Sequence, residues 1–133
     1  MRNTWTKILI YGFIITSSLF ACTTLFAAEI IQLKNKLTTS NDVPLSFVLE
    51  KSTFDGSKTR VWGAVHNNTN ETYNRLRVSF TVRDKSGKFL GRSSWSLEPD
   101  TVGPGQVGYI NDKFIECEGR RPSTIETSVM RYR

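Results

Sequence analysis

The chain has one histidine and two cysteines among its 133 residues. That scarcity limits its chemistry. A zinc site needs several His or Cys ligands and a calcium site needs clustered carboxylates. Neither set is present, and no metal or cofactor is expected. No glycine-rich loop follows a strand and opens a helix, so phosphate cradles of that kind are missing. No stretch of the body repeats its apolar residues at a helical period. His66 with Cys117 is the one nucleophile pair available, and no orienting third group or oxyanion signature accompanies it. His66 then reads as a polar strand-end residue. Cys117, just after Phe114-Ile115-Glu116, reads as a small core hydrophobe. The expected protein is not an enzyme.

Charge of one sign is absent from the start of the chain. Residues 1–7 carry Arg2 and Lys7 and no acid, and residues 8–28 carry no charge. A basic start, an apolar run and small residues before a polar body make the layout of an export signal. Three readings stay open. Cleavage after Ala27 or Ala28 puts the bulky Leu25 or Phe26 at the −3 position, where small residues are preferred. Leu19-Phe20-Ala21-Cys22 resembles the bacterial lipoprotein signal, which implies cleavage before Cys22 and lipidation of that cysteine. An uncut 8–28 is about long enough to span a bilayer, although Thr16, Ser17, Ser18, Thr23 and Thr24 dilute it. All three place the body outside the cytoplasm, in the periplasm or cell envelope. After either cleavage Cys117 has no free thiol partner, so no internal disulfide is expected. Removing Arg2 and Lys7 leaves 16 basic residues against 12 acidic ones, a net +4. That is too mild to argue for nucleic acid.

Residues 29–42 are polar with sparse apolar positions and read as a tether. The domain then covers 43–133. Its clearest element lies in 74–84: Leu76, Val78, Phe80 and Val82 alternate with Arg75, Arg77, Ser79, Thr81 and Arg83. Successive side chains of a strand point to opposite faces, so this is a half-buried strand with one wet side. Further strands are expected over 44–54, 60–67, 88–97, 106–114 and 123–132. Turn clusters separate them: Asp55-Gly56-Ser57, Asn67-Asn68-Thr69-Asn70, Asp84-Lys85-Ser86-Gly87, Pro99-Asp100 and Gly103-Pro104-Gly105. The expected fold is all-β, a small antiparallel sandwich of six or seven strands. Gly63 inside a strand suggests a bulge or close packing under a bulky neighbour, with Trp62 and Trp95 the nearest candidates.

Val61-x-Gly63-x-Val65-x-Asn67, the following 76–82 strand with its Asp84-x-x-Gly87 hairpin, then Leu97-x-Pro99, Pro104-Gly105 and Tyr109 form an ordered set. This order resembles the FxLYD-like families of bacterial envelope domains over roughly residues 45–114. Arg83 stands where those families often have Tyr, and the proline-glycine turn is longer here. The resemblance implies an Ig-like β-sandwich and says little about activity.

What remains is surface. Arg75, Arg77 and Arg83 line the wet side of the best strand, with Lys85 and Lys88 at its loop. Such a patch suits an acidic partner, a lipid surface or a wall polymer. The leading expectation is a non-enzymatic exported envelope protein, an accessory or assembly module that contacts protein partners through its sandwich. Membrane contact would come through the signal segment or a lipid on Cys22. The alternative is a small-ligand or cell-wall-polymer module using Trp62, Trp95 or Tyr109. The rings decide between these readings: buried they are core, but lined up beside the arginines on an open face they suit polymer stacking.

Overall fold

The structure, a computed structural model, describes residues 27–132. The signal segment up to residue 26 and the candidate lipidation site Cys22 lie outside the described residues. Eight strands run in order: β1 (Glu29–Ile30), β2 (Lys34–Thr38), β3 (Phe47–Phe54), β4 (Lys58–His66), β5 (Leu76–Arg83), β6 (Phe89–Ser96), β7 (Val107–Glu116) and β8 (Thr124–Arg131). They form two four-stranded sheets, ordered β1-β3-β4-β7 and β2-β8-β5-β6. Among the described residues there is no helix.

The alternation in β5 is what builds the second sheet. Leu76, Val78, Phe80 and Val82 are all fully buried. Opposite them, Phe47 of the first sheet meets Phe80 edge to face, with ring centroids 5.2 Å apart. Such pairs add to the stabilisation from simple area burial. Val61, Val65, Ile110, Ile115, Ile125 and Val129 complete the shared core.

Gly63 lies under a bulky neighbour, and that neighbour is Phe47 rather than Trp62 or Trp95. A Cβ there would sit 2.3 Å from both Phe47 Cζ and the Val48 carbonyl oxygen. The surrounding ladder is bulged twice: the register shifts between Leu49 and Lys51 on β3, and between Val61 and Gly63 on β4 against β7. Asp112, in the second bulge, takes a positive φ of 52°. Bulges re-aim side chains locally.

Four expectations are corrected. Residues 29–42 are not a free tether, because β1 pairs with β3 and β2 pairs with β8. Main-chain hydrogen bonds need no apolar alternation, so this segment could join both sheets with few apolar residues. Ile31, in the crossing between them, is buried, as are Val43 and Leu45 beyond β2. The count is therefore eight strands, not six or seven. The sandwich is also not wholly antiparallel, since β2 and β8 run parallel. Asn35 ties this addition down: its side chain donates to the Phe47 carbonyl and accepts from Thr127 Oγ1 at 2.9 Å. Finally, Thr81 is not on an open wet face. It is 6 % exposed, covered by Arg92, whose Nε donates to Thr81 Oγ1.

Both long sides of the sandwich are closed. The chain itself crosses from β1 to β2 on one side. On the other, Trp95 Nε1 of β6 donates to the Phe114 carbonyl of β7 at 3.1 Å. Asn67 organises the far end. Its buried carboxamide donates to the carbonyls of Glu71 and Val102 and accepts from the amide and hydroxyl of Thr69. A buried polar group is tolerated when it is satisfied this fully.

Candidate functional site

The outer face of the β2-β8-β5-β6 sheet brings together the best-registered polar side chains of the molecule. Reading across the strands gives four rows. Ser96, Arg77 and Met130 form the first; Ser94, Ser79, Ser128 and Thr38 the second. Arg92, Thr81, Glu126 and Lys36 form the third; Phe89, Arg83, Thr124 and Lys34 the fourth. The second row is hydroxyl on every strand.

Five cations, Lys34, Lys36, Arg77, Arg83 and Arg92, thus share a face with one acid, Glu126. Arg83 holds Glu126, Nε to Oε1 at 3.1 Å, and also donates to the Gly87 carbonyl. Arg77 lies over the Tyr132 ring, 5.2 Å to the centroid. Its Nε and the Ser94 Oγ on the adjacent row are buried side-chain atoms without a hydrogen-bond partner among the described residues. An unmet buried donor costs roughly 1–3 kcal/mol. Beside them runs a shallow groove of about 250 Å³ between Thr38, Ser79, Arg92 and Ser128.

The sequence-expected surface residues divide. Arg77 and Arg83 fall on this face. Arg75 does not: it precedes β5 with a φ of 52°, and its carbonyl accepts from the Tyr132 amide. Trp62 belongs to the opposite sheet, half-buried, with Lys51 Nζ 4.7 Å from its ring centroid. Trp95 is partly buried against the core at the β6–β7 edge, 5.4 Å from Phe114. Tyr109, which pairs with Ala64 two residues from Trp62, is 44 % exposed. So the rings do not line up beside the arginines. Lys34, Lys36 and Arg92 were missed. Their signal was the polar half of two alternations, Lys34-x-Lys36-x-Thr38 and Arg92-x-Ser94-x-Ser96, which become one surface only when β2 and β6 flank the pair β8-β5.

His66 and Cys117 stand at opposite ends of β4. Cys117 is buried beside Thr59, with Oγ1 and Sγ 3.0 Å apart, whereas His66 ends the strand, roughly 23 Å along at the usual rise. They form no pair. Burial pushes the Cys117 thiol above its ordinary value of 9.0, with Glu116 and Asp55 adding in the same direction against the Thr59 hydrogen bonds. The thiolate is the reactive form. Iodoacetamide is therefore expected to leave Cys117 unmodified until denaturant passes the unfolding midpoint, as read by peptide mass. Because the folded value is raised, stability should be constant below the unfolded thiol value and fall as pH rises through the folded one. Among the described residues no group of three or more His, Cys, Asp or Glu side chains is placed to hold a metal ion.

Comparison with known proteins finds no matching family model, no matching curated protein and no matching solved structure.

Proposed function

We propose that this chain is a non-enzymatic exported envelope protein, an accessory or assembly module whose outer β2-β8-β5-β6 face docks an acidic protein surface. The observation that carries this reading is the charge imbalance of that face, five cations to one acid, set among rows of hydroxyls. Flat hydroxyl rows supply adaptable hydrogen bonds, and complementary charge sets partner choice and encounter rate. The exposed Lys34, Lys36 and Arg92 supply donors that a partner carboxylate can satisfy. An Ig-like arrangement and kinship with FxLYD-like envelope domains belong to the same proposal, resting on the 61–109 motifs. A polymer-binding reading has one observation in its favour, the exposed Tyr109 and Val48 near Trp62. It lacks the alignment with arginines that stacking on an anionic polymer would use.

Site-specific photocrosslinking in the native envelope tests the proposal. A crosslinker replacing Ser128 should capture a discrete protein, and one replacing Glu50 on the other sheet should not. Arg92→Glu with Lys36→Glu should lower the Ser128 yield about tenfold or more, since like charges facing each other cost several kcal/mol. Equal capture from both faces, or none from Ser128, rejects this face as the contact surface.

A further inference from the structure

We propose that the free edge of β2 takes up an extended acidic segment of a partner protein as a further strand. That segment carries carboxylates at alternate positions with apolar residues between them. The inference rests on the reading that the adjoining outer face docks an acidic protein, and it says how the partner attaches.

Four strands end the two sheets: β1, β7, β2 and β6. β6 and β7 lie against each other through the bond from Trp95 to the Phe114 carbonyl. β7 also exchanges main-chain bonds between Tyr109 and Glu98. β1 has two residues, too few to template a partner. Past β1, the Phe47 carbonyl on β3 accepts from the Asn35 side chain. β2 is different. Among the described residues it pairs with β8 alone. The crossing from β1 closes the gap between the sheets but puts no strand beyond β2.

One bond gives the direction of its main chain. The Lys34 amide donates to the Ser123 carbonyl, so the main-chain groups of Lys34 face β8. Successive residues of a strand direct these groups to opposite edges. Lys36 and Thr38 therefore also face β8, whereas Asn35 and Leu37 turn their N–H and C=O groups to the open side. Unpaired edge groups of this kind are a template for another strand.

Side chains decide which strand fits. Lys34 and Lys36 lie on the outer face, and both are exposed. Neither has an ion-pair partner among the described residues. Glu126, opposite Lys36, is held by Arg83. A second copy of β2 is the poorer occupant. Paired symmetrically about its middle residue it sets Lys36 against Lys36, and like charges directly opposite are destabilising. On the core-facing side, Asn35 reaches the Phe47 carbonyl and Thr127. Leu37 shares that side yet is 53 % exposed. A strand with an acid opposite each lysine brings its intervening apolar residues beside Leu37. Charge and burial select the same alternation.

A capped peptide, Thr-Val-Glu-Val-Asp-Val-Thr, titrated into isotopically labelled protein purified from its native envelope tests this. At about ten times the dissociation constant, the amides of Asn35 and Leu37 should exchange about tenfold more slowly, being open only in the free fraction. N-methylation of the alternate peptide amides turned to β2 should abolish binding, and N-methylation of the other set should not. Moving the two acids to adjacent positions puts them on opposite faces and should weaken binding about tenfold, as should Lys34→Glu with Lys36→Glu. Leu37→Pro removes an edge donor without breaking a bond to β8, which edge strands tolerate, and should also weaken binding. Unchanged exchange at Val78 and Val129 shows that each variant is folded. Binding that survives either N-methylation, or that leaves Asn35 and Leu37 exchanging as in the free chain, overturns strand addition. An absence of binding overturns it as well. Neither result touches the docking face, which the Ser128 crosslink judges without requiring a strand.

Discussion

Gly91→Ala is expected to lower stability by about 3 kcal/mol or more, the upper range for forced overpacking. The added Cβ would lie 1.8 Å from the Glu116 carbonyl oxygen, 3.1 Å from the carbon of that carbonyl and 3.3 Å from Ile115 Cγ2. The first two are main-chain atoms of β7, so no side-chain rotation relieves the contact. Gly91 is where the edge of one sheet meets the edge of the other. Relief requires β6 to move off β7. That movement also strains the bond from Trp95 Nε1 to the Phe114 carbonyl, four residues further along β6. A urea titration of the variant against the parent measures the change. A shift within about 0.5 kcal/mol, the ordinary range for surface substitutions, would mean that the two edges are not in contact.

Phe80→Ala should cost about 3–5 kcal/mol, the usual range for emptying a ring-sized volume in a closed core. Phe80 has no exposed surface, and its ring supports Phe47 from the opposite sheet. Phe47 is in turn fitted over Gly63, a position with no Cβ to follow it into a cavity. Collapse is therefore poor, and the cost should sit in the upper half of the range. Phe80→Leu, which keeps most of the volume, should cost less than about 1.5–2 kcal/mol. Equal losses for the two variants would show that the hole closes by repacking and that the ring pair is not the link between the sheets.

Much of this architecture was readable before any coordinates. The six longer strands announce themselves by period two, most clearly at Leu76, Val78, Phe80 and Val82, because one face of each is buried and the other wet. Two things were hidden for definite reasons. Residues 34–38 are mostly exposed on both faces and held by main-chain bonds to β8, so they carry no apolar alternation to detect. The parallel partner lies 90 residues away, from Lys34 to Thr124, and nothing local encodes that pairing. The basic face was legible in part. Arg77 and Arg83 follow from the alternation of β5. Arg75 was counted with them because the alternation continues one step beyond the strand, where the backbone turns left-handed at φ 52°. Arg92 and Lys36 join only through strand order, which side-chain patterning does not specify.

The parallel seam between β2 and β8 also bears on timing. Synthesis from the N-terminus makes β2 early and its partner β8 last of all the strands. The central strand β5 likewise waits for β8 on one of its sides. The second sheet is thus left without one of its two central strands until synthesis is nearly complete. Closing a loop of that length is slow compared with forming local hairpins. The topology makes the C-terminal strand the piece that completes the second sheet, joining β2 on one side and β5 on the other.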